Sequence, residues 1–303
     1  MSAFAIRVMP VLFVFLWSTG FIGAKYGLPY AEPLTFLTVR FAIVTAILVP
    51  VALLTRAQWP ARAVQALHVA IVGLLVHAIY LGGVFSAIDR GLPAGVAALI
   101  VALQPLVTAV LAGPLLGDRV TRRQGAGFVL GFIGVATVLA SKTLAAPGEI
   151  VTFEGFDLAA VGLAVAALIG ITAGTIYQKR FAAGLDLRSS TVIQYIAAGA
   201  ATGLLALATE TMRIDWTREF LFALSWLTLV LSIGAISLLM LLIRRGAASR
   251  TASLFYLVPP STALIAYILF GETLGPAGIA GVILTAFGVA LVFKGGPAKR
   301  RPS

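Results

Sequence analysis

His77 and Tyr80 stand three residues apart inside an apolar stretch, a spacing that places both on one face of a helix, and Gly73 and Val84 continue that face. A histidine in a membrane-length apolar run is expensive and marks function by default. It is also the side chain whose charge changes near neutral pH. The competing reading is a neutral imidazole bonded to a carbonyl. Tyr80 joins a ring to a hydroxyl, which suits a partly apolar ligand. Pro105 and the pair Pro259-Pro260 interrupt two other apolar stretches. Each proline removes a backbone donor and loosens the turn before it. The freed carbonyls are expected to face a cavity and the kinks to act as gating points; the plainer reading is a kink that only shapes packing. Gln104, beside Pro105, either reaches that cavity or bonds a neighbouring helix. Trp17 lies in mid-stretch, away from the interfacial belt where tryptophan collects, and is either a cavity wall or a packing anchor. Ser18, Tyr177, Ser237 and Tyr256 are candidate polar contacts to a solute, with interhelical bonding as the alternative for each.

Arg40 is the costliest of these residues, at roughly 3 kcal/mol on insertion scales. It lies nine residues into its stretch, about 13 Å from the outer end by helical rise. No Asp or Glu lies inside any apolar stretch, and Glu32 is two turns away at the stretch's end. Arg40 must therefore bond carbonyls, a carboxylate or a substrate.

The same inventory excludes other chemistry. With no cysteine there is no disulfide, thiolate zinc site or cysteine nucleophile, and two histidines, His68 and His77, make no metal cluster. HExxH, GxSxG and an embedded carboxylate pair are absent, so neither an enzyme nor a resident cofactor or metal is expected. Binding and release remain.

These residues are positioned by membrane spans. The chain of 303 residues is 60% hydrophobic, with a mean hydropathy of +1.04, more apolar surface than a soluble protein can hide. Ten runs, approximately 8–24, 32–55, 64–86, 93–116, 124–141, 156–178, 189–209, 221–243, 248–270 and 276–293, reach the roughly 20 residues a helix needs to cross hydrocarbon. The alternation of barrel strands is missing. The start resembles a signal peptide, with Arg7 before an apolar run, but removing it would break the repeat described next. If the N-terminus is cytoplasmic, 16 Lys and Arg residues fall inside and 5 outside, with Arg40 within a span. That asymmetry places both termini in the cytoplasm. It also explains the net charge of +11 as a topology signal, without nucleic acid as a partner.

The halves repeat. At an offset of 155, Arg90-Gly91 meets Arg245-Gly246, Leu99 meets Leu254 and Pro105 meets Pro260; at 154, Gly117-Asp118 meets Gly271-Glu272, Gly127 meets Gly281, and Gly134-Val135 meets Gly288-Val289. Five spans per half turn the second half upside down. Inverted repeats place substrate near the midplane, and paired interruptions in corresponding spans point to the site. Asp118 and Glu272 are expected to cap or position the helices that follow them, and the glycines of the fifth and tenth spans to allow close helix packing.

Ten spans in two such halves, Trp17-Ser18, Arg40-Phe41, and above all Pro105, Leu116-Gly117-Asp118-Arg119, Gln124, Gly127 and Gly134 with their second copy Pro260, Phe270-Gly271-Glu272-Thr273, Gly281 and Gly288 resemble the drug/metabolite transporter superfamily, specifically its EamA-type members. In the first half Asp118 replaces the usual glutamate. The resemblance implies an all-α integral membrane fold of ten transmembrane helices as two inverted five-helix repeats. The repeats would cover 1–145 and 150–297, with a basic cytoplasmic tail at 298–303. It implies that spans 1, 3, 4, 6, 8 and 9 line a central cavity, that 5 and 10 lie outside it, and that 2 and 7 support it, which gives Arg40 a structural or gate-latching role. It implies a bacterial inner-membrane protein, expected to be a monomer, with the lipid bilayer and a small-molecule substrate as its partners. The expected activity is export of small metabolites, aromatic or hydrophobic amino acids foremost, by alternating access. Alternatives are a phosphorylated-sugar or nucleotide-sugar transporter, or an uncoupled facilitator or channel. The lack of embedded carboxylates favours facilitation, since proton-coupled carriers use intramembrane acids as relays.

Overall fold

A segment crossing hydrocarbon must satisfy its own N–H and C=O groups, and a helix does so with no other segment's help. The computed structural model describes residues 3–116, 121–142, 155–235, 238 and 254–294, and within these residues helices occupy the apolar stretches. In chain order they are α1 (Ala3–Gly27), α2 (Pro33–Leu54), α3 (Ala63–Gly73), α4 (Tyr80–Asp89), α5 (Ala94–Val101), α6 (Gln104–Leu116), α7 (Arg122–Ala140), α8 (Leu158–Phe181), α9 (Leu187–Thr209), α10 (Arg218–Ser225), α11 (Val258–Phe270) and α12 (Pro276–Lys294). π-helical segments join α3 to α4 (Leu74–Ile79) and continue α10 (Trp226–Ala235), and a 3₁₀ turn, Leu254–Leu257, precedes α11. Eight helical segments are long and apolar enough to cross a membrane, and Leu254–Phe270 and Pro276–Leu291 are shorter apolar helices. Helix dominates the described residues, and Ala31 pairs with Ile214 in an isolated antiparallel bridge.

The interrupted spans are paired, as the repeat predicts, but the prolines act differently from the mid-helix kinks expected. The fourth span breaks at Ala102 and Leu103, between α5 and α6, and Pro105 is the second residue of α6. In the ninth span, Pro259 and Pro260 lie in the first turn of α11, after the 3₁₀ turn. A first-turn residue has no intrahelical acceptor for its N–H, so proline costs little there and its fixed φ favours a helix start.

The helices form two compact units, each drawing on both halves of the sequence. One comprises residues 1–22, 91–158 and 234–303. Within it α7 and α12 lie glycine against glycine: a Cβ on Gly288 would stand 2.6 Å from the Gly127 carbonyl, and one on Gly134 would collide with the Thr285 hydroxyl. Contacts this close let backbones pack without a hydrophobic drive between helices. Gly95 of α5 approaches Ala263 of α11 in the same way. Gly271 ends α11 in the left-handed conformation, φ 66°. The Glu272 carboxylate then accepts the Ala94 and Gly95 N–H groups at 2.9 and 3.3 Å. It therefore caps the start of α5, not the helix that follows it in sequence, because the helix packing brings α5's open donors nearer. Its sequence twin Asp118 lies outside the described residues.

The other unit comprises residues 23–90 and 159–233. Here α2 and α9 pack along their lengths, and Thr38 donates to the Thr202 hydroxyl at 3.1 Å. Glu210, just past α9, accepts the Leu34 and Thr35 N–H groups of α2 at 2.8 and 2.7 Å, while Glu32 accepts from Thr211. Asp186 caps the other end of α9. Phe36, Phe85 and Phe220 pack ring to ring, Phe36 lying 5.4 and 5.0 Å from the other two.

Candidate functional site

The π-helical segments are equivalent in the repeat: moved by the offset of 155 residues, Leu74–Ile79 falls within Trp226–Ala235. A π turn carries one extra residue and shifts its carbonyls out of the α register, and such turns are rare and concentrate at functional sites. Local sequence makes room for both. In the third span, Gly73 is pressed on the backbone of Gln194, and Gly170 and Gly174 of α8 leave space for Leu75, Val76 and Ile79. In the eighth, the Ser232 hydroxyl donates to the carbonyl of Leu227, five residues back, at 3.1 Å, and so engages an acceptor displaced by the wider turn.

Between these segments and the α2–α9 pair lies a cluster of polar and aromatic groups. Arg40 of α2 is 3% exposed. Its Nη2 donates to the Ser232 hydroxyl at 3.1 Å, and its buried Nε has no hydrogen-bond partner. Tyr80, Tyr195 and His77 are within electrostatic reach of the guanidinium. His77 stacks on Tyr195 with centroids 4.4 Å apart and planes 18° apart, and the Gln194 side chain lies beside it. Phe41 borders both rings, at 6.0 Å from His77 and 5.5 Å from Tyr195. The Thr228 hydroxyl, one π turn before Ser232, is buried and unpartnered. The arrangement is one cation beside four aromatic side chains and several neutral hydrogen-bonding groups. It suits recognition of a small amphiphile. No group of three His, Cys, Asp or Glu converges among the described residues.

Two of the residues singled out from sequence as cavity groups, His77 and Tyr80, belong to this cluster, and so does Arg40. The bond from Arg40 to Ser232 ties the two halves of the sequence together. Tyr177, in the same unit, lies apart: its hydroxyl meets His68 Nδ1 at 2.8 Å, and His68 stacks on Phe181. The remaining candidates belong to the first unit. Trp17 packs against Phe13 and Phe255 at 5.3 and 5.1 Å. Ser18 is buried and bonds the Val14 and Val258 carbonyls at 2.8 and 3.3 Å. Gln104 reaches Thr108 at 3.4 Å, and Tyr256 lies in the 3₁₀ turn. Ser237 lies outside the described residues. Of the face expected through Gly73, His77, Tyr80 and Val84, Gly73 and His77 both meet α9, at Gln194 and Tyr195, and the π segment Leu74–Ile79 separates Gly73 from Tyr80 and Val84. Sequence reasoning passed over Phe41, Gln194, Tyr195, Thr228 and Ser232. A signal was present for two: moved by the repeat offset, Arg40 falls on Tyr195 and His77 on Ser232.

Ten helical spans in two equivalent halves, with interruptions at matching positions and a polar cluster deep in the helices, define a membrane transport protein of the inverted-repeat class. Residues 6–140 and 158–294 each match the EamA-like transporter family, and the chain belongs to it. It is 27% identical over 288 residues to an uncharacterized transporter, YvbV, of Bacillus subtilis, covering 92% of this chain and 88% of the relative. It is 26% identical over 292 residues to a probable amino-acid metabolite efflux pump of Salmonella typhimurium, covering 93% and 92%. It is 26% identical over 281 residues to the uncharacterized inner membrane transporter YedA of Escherichia coli, covering 92% and 88%. A crystal structure with 21% identity superposes at a TM-score of 0.62, covering 96% of both chains, a likeness of fold.

Proposed function

We propose that this transporter moves amino acids with aromatic or hydrophobic side chains, and related small metabolites, out of the cytoplasm across the bacterial inner membrane. It works by alternating access, as a monomer with both termini in the cytoplasm, and its chemistry is binding and release. One observation carries the reading: the departures from α-helix recur in both halves, as π turns in the third and eighth spans, a break in the fourth and a 3₁₀ turn in the ninth. Segments of equal weakness at corresponding positions let two inverted halves exchange roles around a fixed site. The relatives described as an amino-acid metabolite efflux pump and as an inner membrane transporter and the asymmetry of basic residues support substrate class and location.

A second reading concerns the energy source. Acids within the spans lie at their ends, as Asp89 and Glu219 do, and none lies in mid-span, so transport follows the solute gradient without proton coupling. Proteoliposome counterflow with a panel of radiolabelled amino acids tests both. Saturable counterflow of aromatic or branched amino acids, unchanged by a protonophore, is the expected result. Conductance without saturation points to a channel, and uptake against a gradient that a protonophore abolishes and His77→Phe eliminates overturns facilitation. His77→Phe and Tyr80→Phe, which keep an aromatic ring but remove its polar atoms, are each expected to lower counterflow about tenfold, a loss of roughly 1.4 kcal/mol of transition-state stabilisation.

A further inference from the structure

Arg40 has more hydrogen-bonding capacity than the protein uses. A guanidinium carries five N–H donors in a fixed fork and stays charged. Buried charges are ordinarily paired, and a buried ion without a counter-ion costs several kcal/mol. Arg40 is 3% exposed, and among the described residues its one hydrogen bond runs to a neutral hydroxyl. Among the described residues no carboxylate pairs with it; Glu32 and Glu210, the acids flanking the α2–α9 pair, are occupied by Thr211 and by the first turn of α2. The edge shared by Nε and Nη2 is the fork that receives a carboxylate two-pronged. Ser232 meets that edge at Nη2 only, and Nε is left without a partner.

We propose that Arg40 anchors a carboxylate of the transported solute along its Nε–Nη2 edge, displacing Ser232, while the aromatic faces of Phe41, His77 and Tyr195 receive the solute's side chain. The inference rests on the transporter reading above and narrows its substrate class to monocarboxylates. One cation neutralises one carboxylate; a phosphate dianion would call for a second, and the groups around Arg40 are neutral aromatics, an amide and hydroxyls. The repeat adds direction. At the two repeat offsets, 154 and 155, Arg40 falls on Gln194 and Tyr195, both neutral, so the two-fold related pair carries charge on one side alone, and a solute with one carboxylate enters in one orientation.

The test uses the full chain, purified in detergent and in proteoliposomes, with three probes of matched ring: L-phenylalanine, phenylacetate and phenethylamine. Wild type is expected to be thermally stabilised by both carboxylates and to exchange them in counterflow, with phenethylamine at least tenfold weaker. Arg40→Lys is expected to keep part of that preference, and Arg40→Gln to erase it by losing the carboxylates at least tenfold. Ser232→Ala removes the competing hydroxyl and is expected to tighten carboxylate binding several-fold with phenethylamine unchanged, a readout that survives if the Arg40 variants fail to fold. The anchor is overturned if wild type handles phenethylamine as well as phenylalanine, if Arg40→Gln lowers all three probes in proportion, or if Ser232→Ala leaves the carboxylates unchanged. Counterflow of phenethylamine without either carboxylate sinks the anchor and leaves the transporter reading standing. Carboxylate-dependent stabilisation without counterflow of any solute does the reverse.

Discussion

In the unit built on α7 and α12, the buried hydroxyls of Thr285 and Ser18 end on main-chain acceptors: Thr285 meets the Gly281 carbonyl of its own helix at 2.9 Å and the Gly131 carbonyl of α7 at 3.3 Å, and Ser18 donates to that of Val14 at 2.8 Å. In the unit built on α2 and α9, Arg40 Nε and the hydroxyls of Thr172, Ser190 and Thr228 are buried without partners. The first unit is held by close backbone contact between glycine faces, and the second tolerates unsatisfied polarity in a membrane interior, where such groups are costly. A protein keeps polar atoms unpaired where something else completes them: a solute, or a contact made in another state. The contrast separates a unit that holds helices together from one whose polar interior is poised for a ligand.

The largest expected effect breaks the first half of that contrast. Gly134→Val places a side chain where Thr285 and the Gly281 carbonyl already lie, and overpacking of this kind costs about 3 kcal/mol. Thermal unfolding in detergent should show the loss, while the protein that remains folded keeps its order of preference among amino acids. A variant as stable as wild type would mean that the glycine faces do not hold α7 to α12.

A matched pair sharpens the contrast further, because the same substitution should act with opposite sign in the two units. Thr285→Val removes a satisfied hydroxyl and is expected to destabilise by about 0.6 kcal/mol, the usual worth of a hydrogen bond between membrane helices. Thr228→Val removes an orphaned one from a site 1% exposed, and is expected to stabilise by about 1 kcal/mol by relieving a desolvation cost. Counterflow supplies the second readout: it falls for Thr228→Val despite the added stability and stays for Thr285→Val. If both variants shift stability in the same direction, unsatisfied polarity does not distinguish the units.

Hydropathy alone placed the spans, because a membrane crossing demands length and apolarity and little else. The described helix ends fall within a few residues of the predicted runs, except at the end of the eighth run and the start of the ninth, which lie outside the described residues. The paired interruptions were also legible, since Pro105 and Pro260 stand at equivalent positions. Their local effect was not: whether a proline kinks a helix or begins one depends on where the preceding turn unwinds, and Ala102-Leu103 gives no strong signal. The π turns were hidden for a related reason, as a run such as Leu74–Ile79 satisfies hydropathy in either hydrogen-bond register. Arg40 and His77 stood out by type, whereas Tyr195 and Ser232 are residue types that usually pack or bond between helices. Setting the second and seventh spans aside as supports drew attention away from Gln194 and Tyr195, although the repeat offset applied to Arg40 leads straight to Tyr195.

The smallest expected effect lies at the surface of the second unit, where polarity is fully paired. Asp186 accepts from the Gln58 and Arg188 N–H groups at 3.0 and 2.9 Å, and from the Arg188 guanidinium. The guanidinium first, and then these N–H groups, hold its carboxyl well below the usual carboxylate range. A carboxyl depressed in the folded state contributes stability that is present in full above its unfolded value, about 3.9, and is lost as pH falls toward the folded one. Asp186→Asn should therefore lower the melting temperature slightly and by a constant amount from pH 8 to pH 5, with the gap to wild type closing below pH 4. High salt should shrink the gap at neutral pH, because an exposed ion pair is screened. It should leave the response to Thr228→Val unchanged, because that site's penalty comes from dehydration and carries no charge. A salt-sensitive Thr228→Val would place water at the π turn and remove the distinction between this paired surface and the unpaired interior beneath it.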